Sequence, residues 1–91
     1  MLKKFIIERE VPGVGGKSSI EMGEVAKLSN GALEQLSGIQ WQQSFVTADK
    51  MFCVYLAKDE AIIQRHAEMS GFPATRITEV GKTIDPTTAD S

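Results

Sequence analysis

Cysteine, proline and the larger aromatics are scarce in this chain: one Cys, three Pro, one Trp and one Tyr among 91 residues, with a single His. One cysteine cannot close an intrachain disulfide, so the core must hold the fold, and an unpaired thiol suits a reducing compartment. Charge of one sign is lacking too. Ten Lys and Arg stand against twelve Asp and Glu, interspersed, for a net charge of −2. Without a basic stripe to displace phosphate counterions, no nucleic-acid partner is expected. Long apolar runs are also missing. Phe5-Ile6-Ile7 follows Lys3-Lys4 but stops at Glu8-Arg9-Glu10, too short for the apolar segment of a leader, and nothing approaches a bilayer span. A cytoplasmic protein with no membrane partner is expected.

What is present describes an ordinary globular domain, with 42% hydrophobic and 24% charged residues. The expected organisation is one domain over residues 1–86 and a polar tail over 87–91. A domain of this size buries only about 60% of the surface of its unfolded chain, so it gains from pairing with a second copy.

The pattern along the chain predicts six elements. Lys3 to Glu10 reads as a strand closed by the turn signal Pro12-Gly13. The glycines of Val14-Gly15-Gly16-Lys17 could cradle phosphate, but P-loop spacing is not met and a plain connection is the better reading. Ser18 with Glu21 forms a capping-box pattern, and Ile20, Val25, Leu28, Ala32, Leu33 and Leu36 recur at helical spacing toward Gly38. Gly23 and Asn30-Gly31 weaken that helix and make a break near Asn30 an open alternative.

Ile39 to Ala48 and Met51 to Ala57 read as strands joined at Asp49-Lys50. Opposing Ala48 with Met51 puts Trp41, Phe45, Phe52, Val54 and Leu56 on one face, and Gln42, Ser44, Val46, Cys53 and Tyr55 on the other. Asp59 caps a second helix to Ser70, Gly71 stops it, and a last strand spans Arg76 to Lys82. The order strand, helix, strand, strand, helix, strand predicts an α+β fold, the ferredoxin-like βαββαβ sandwich with both helices on one face of an antiparallel sheet. The uncovered face calls for a homodimer of the dimeric α/β-barrel type, enclosing a cavity.

Few residues carry chemistry. His66 can ligate a metal or move a proton, although a lone helical His is more often structural. Cys53 is expected as a small apolar strand residue, or as a thiolate ligand if its face borders the cavity. Glu8 and Glu10 point the same way from the first strand and can hold a cation, although solvated strand-end charges are commoner. Tyr55, Trp41, Ser44, Gln42 and Glu79 complete the expected cavity set, with Trp41 also a core candidate. No nucleophile–base signature is met, and the reading leans against an enzyme.

Several segments together resemble a family of short bacterial ferredoxin-like proteins whose named members are nickel-binding or nickel-responsive. They are Phe5-Ile6-Ile7-Glu8-Arg9 with Pro12-Gly13, Trp41 with Ser44-Phe45-Val46, Asp49-Lys50 with Cys53 and Tyr55, His66-Ala67, Gly71-Phe72-Pro73-Ala74, Ile77-Thr78-Glu79-Val80 and Ile84-Asp85-Pro86. The resemblance implies the fold, a homodimer, and binding of nickel or another divalent transition metal. His66, Cys53, Glu8 and Glu10 would then supply imidazole, thiolate and carboxylate ligands. The competing expectation is a small-molecule binder, or an enzyme, using a closed cavity of roughly several hundred Å³.

Overall fold

The computed structural model describes residues 1–90 and contains four strands and two α-helices: β1 (Lys3–Glu10), α1 (Ser19–Leu33), β2 (Ile39–Val46), β3 (Lys50–Ala57), α2 (Glu60–Ser70) and β4 (Arg76–Glu79). All pairings are antiparallel, in the order β2-β3-β1-β4. This is the ferredoxin-like arrangement. Among the described residues no helix is long and apolar enough to cross a membrane.

Local chemistry places the helix ends. The Ser18 hydroxyl accepts from the Glu21 backbone N–H while the Glu21 carboxylate accepts from the Ser18 N–H, which closes the capping box. Helix α1 runs unbroken through Asn30-Gly31 but ends at Leu33, short of Gly38, because the bonds from Gln35 and Leu36 tighten to the third residue back. Asp59 caps α2, and Gly71 ends it at φ +81°, a conformation that costs other residues a Cβ clash. The loop Val14–Gly16 is a connection and not a phosphate cradle. Val14 is buried, the Gly15 N–H donates to Ala48, and a Cβ on Gly15 would lie 2.6 Å from the Thr47 carbonyl oxygen. The segment from Pro86 to Asp90 is an exposed 3-10 turn, with Asp85 accepting from the Thr87 N–H.

The β2–β3 register differs from the expectation by two residues. Val46, not Ala48, opposes Met51, and Phe45 opposes Phe52. Thr47 leaves the strand because its Oγ1 bonds the backbone of Lys50, while Asp49 turns to accept from the Gly13 N–H. An even shift preserves face parity, so Phe45 still lies with Phe52, Val54 and Leu56. A bulge between Trp41 and Gln43 then breaks the parity, and Trp41 opposes Tyr55.

The larger correction concerns which face is covered. Met51, Cys53, Tyr55 and Ala57 are buried beneath the helices, whereas Phe52, Val54 and Leu56 look outward and are half-buried. Register with β1 decides this. Phe5 opposes Tyr55 and Ile7 opposes Cys53, so the most apolar row of β1 draws that side inward. The core is Phe5, Ile7, Val14, Ile39, Met51, Cys53, Tyr55, Ala57 and Ile63. Ile6 and Phe45, at 39% and 56% exposure, lie on the open face.

Candidate functional site

Between the sheet and the helices lies a buried polar cluster inside an otherwise apolar core. Arg9 follows Phe5 and Ile7 in the inward row of β1 and is 2% exposed. Its Nη1 donates to the carbonyls of Pro73 (2.9 Å) and Phe72 (3.4 Å), which the left-handed turn at Gly71 brings back toward β1. Its Nη2 is buried with no hydrogen-bond partner, and Arg9 takes part in no ion pair among the described residues. The guanidinium lies over the Tyr55 ring, 5.9 Å from the centroid.

His66 borders Tyr55 as well, with ring centroids 5.4 Å apart. Its Nε2 lies 3.2 Å from the Ser29 hydroxyl and 3.3 Å from the Ser29 carbonyl oxygen. The carbonyl can only accept, which places the ring proton on Nε2 and leaves Nδ1 a buried lone pair without a partner. Burial holds the His66 pKa below its ordinary value, helped by the charge of Arg9 and opposed by the Ser29 backbone, so the ring is neutral near pH 7. Burial likewise pushes the Tyr55 hydroxyl up, against the charge of Arg9 and the Ser29 hydroxyl.

A small pocket opens beside this cluster, lined by Arg9, Ser29, Trp41, Ser44, Cys53 and Tyr55, with Val25, Met51 and Phe72 closing it. It offers about 20 Å³ to the centre of a water-sized species, room for about one such species. The bulge shapes it. Residues three apart on a regular strand face opposite sides, yet here the Trp41 Nε1 donates to the Ser44 Oγ at 3.0 Å on the covered face.

The expected site residues therefore divide. His66, Cys53, Tyr55, Trp41 and Ser44 are brought together under the helices. Glu8 and Glu10 project from the opposite face of the sheet, where Glu8 pairs with Lys50 at 2.8 Å, lowering the Glu8 pKa and raising that of Lys50. Gln42 is exposed at the bulge and does not line the pocket. Glu79 opposes Phe5 at the rim, exposed, with Lys3 at 4.0 Å. Sequence reasoning missed Arg9, Ser29 and Phe72. The signal for Arg9 was its place two residues after Ile7 in an inward row, and that for Ser29 its place one turn after Val25.

A family model described as nickel responsive protein SCO4226-like matches residues 5–80. The chain belongs to that family. The crystal structure of SCO4226 from Streptomyces coelicolor A3(2) is similar at a TM-score of 0.75 with 18% identity, covering 89% of this chain and 99% of that one. At that identity the likeness establishes the fold. No curated protein matches the chain.

The family's description turns attention to nickel, and the interior cluster does not fit a divalent cation. Among the described residues no three His, Cys, Asp or Glu side chains converge. His66 does offer a free lone pair, but the uncompensated charge of Arg9 bears on the same ring and would repel Ni²⁺. Nor does the cluster fit acyl transfer. Ser29 and His66 stand at nucleophile–base distance, yet the proton sits on Nε2, the nitrogen that would have to accept one, and no group orients Nδ1.

Proposed function

We propose that this chain serves a nickel response as a homodimeric binding protein and not as an enzyme. Two copies pair through the open sheet face, and nickel contact falls on Glu8 and Glu10 of that face, not on His66 and Cys53. The observation that carries this reading is the open face itself. It presents Ile6, Phe45, Phe52, Val54 and Leu56 beside Lys4, Glu8, Glu10, Lys50 and Arg76, and no element among the described residues covers it. Charges of both signs interleave there, so a copy turned about a two-fold axis can meet opposite charges, as an isologous contact requires. The same axis would double the carboxylates available to a cation, although oxygen ligands alone make a weaker nickel site than imidazole. The lone thiol of Cys53 supports a cytoplasmic setting.

Light scattering coupled to size exclusion tests the pairing: a dimer mass is expected for the wild type and a monomer for Phe45→Glu. Calorimetric titration with Ni²⁺ tests the second half. Binding should be lost in Glu8→Gln/Glu10→Gln and kept in His66→Asn. A monomeric wild type overturns the first half, and loss of nickel in His66→Asn overturns the second.

A further inference from the structure

Arg9 poses a problem that the proposed function leaves unsolved. A guanidinium carries five donors and a permanent charge, and a buried one is ordinarily paired with a carboxylate. Here the residue is 2% exposed, makes no ion pair among the described residues, and spends Nη1 on two backbone carbonyls while Nη2 has no partner. Carbonyl dipoles and the Tyr55 ring offset only part of the charge.

The wall of the pocket that Arg9 lines is mostly apolar, with donor-bearing residues set into it. The Ser44 Oγ accepts from Trp41, which leaves its own proton free to donate. Ser29, Tyr55 and Cys53 line the same space, and no acidic residue does. A single water could accept from a donor in the pocket, but it would leave the buried charge of Arg9 uncompensated. An anion does both.

We propose that this pocket binds a small monovalent anion, a halide or the carboxylate head of a small organic acid, with Arg9 as its counter-charge. The space of about 20 Å³ sets the size limit and excludes sulfate-sized or larger groups from full burial. The site stands apart from the nickel contact proposed above, since Glu8 and Glu10 lie on the other face of the sheet.

The lone Trp41 lines the pocket and reports on it directly. The wild type is titrated with sodium formate and with sodium chloride, each against sodium sulfate at matched ionic strength, following Trp41 fluorescence and the thermal midpoint. A saturable change is expected with formate or chloride and not with sulfate. Arg9→Lys, which loses the forked donor geometry, should weaken it at least ten-fold. Ser44→Ala, a small change on an edge strand, should weaken it several-fold and keeps the test valid if Arg9→Lys fails to fold. Saturation by formate alone assigns the pocket to carboxylates and by chloride alone to halides. Responses that never saturate, that match sulfate, or that persist unchanged in either variant overturn the proposal and leave the pocket to water.

Discussion

The two faces of this sheet are made from the same strands and carry opposite kinds of information. The covered face holds Phe5, Ile7, Cys53 and Tyr55 at 4% exposure or less, with buried Arg9 in the same row and His66 of α2 against Tyr55. The open face holds Ile6, Phe45, Phe52, Val54 and Leu56, with its charges at the strand ends. Both are apolar. What separates them is that the covered face has its partners within the chain, so its polar groups are fixed and desolvated, whereas no element among the described residues covers the open face.

The sharpest way to break that comparison is a matched pair of truncations one residue apart. Ile7→Ala should cost about 2–5 kcal/mol by urea unfolding, because the fully buried side chain leaves a cavity. Ile6→Ala should cost about 0.5 kcal/mol or less when unfolding starts from the monomeric Phe45→Glu background. Equal losses would mean that the two faces are not distinct.

Cys53→Ser comes next. Replacing the thiol, packed among Ile7, Met51 and Tyr55, by a more strongly solvated hydroxyl should cost about 1–3 kcal/mol. The native thiol should resist an aromatic disulfide reagent that reacts at once in denaturant. Fast reaction of the folded protein would place Cys53 at the surface.

A smaller effect is expected from pH. The folded pKa of His66 lies below its value in the unfolded chain, about 6.5. As pH falls, the unfolded chain therefore takes up the proton first. The contribution of His66 is complete above that value and declines as pH drops below it toward the folded pKa. Urea midpoints measured between pH 7.5 and 5.5 should fall for the wild type and flatten in His66→Asn. A wild-type profile no steeper than the variant's would show that the ring is not held neutral. Smallest of all, Phe45→Glu should shift the unfolding free energy of the monomer by no more than about 0.5 kcal/mol while abolishing association. A large loss of monomer stability would make Phe45 a core residue.

Much of the fold was legible in the sequence because its signals are local. The strand Lys3–Glu10, the Ser18/Glu21 box, the Asp59 cap and the Gly71 stop each depend on neighbours a few residues apart. The β2–β3 register was not, because Thr47 and Asp49 leave the strand ladder for contacts with Lys50 and Gly13. The candidate site suffered more. Strand alternation groups Trp41 with Phe45, but the bulge, which has no composition signal, changes parity and turns Trp41 to the side of Tyr55. Cys53 and Tyr55 are expected on the uncovered face, lining a cavity enclosed by a second copy, because face polarity in β2 and β3 alone does not say where the helices sit.

The sequence by itself determined the class and order of elements, the starts of both helices and the end of α2, a chain without internal disulfides, and the family to which the chain belongs. Propensity, capping and turn chemistry act over a few residues, and the pattern is written in their spacing. Only the tertiary structure decided that Arg9 is buried without a counter-ion among the described residues, that His66 is neutral against Ser29, and that Glu8 and Glu10 are separated from both by the sheet. Those facts depend on which face of β1 the helices cover, and that is settled by burial summed over several strands, a quantity no single stretch of sequence contains.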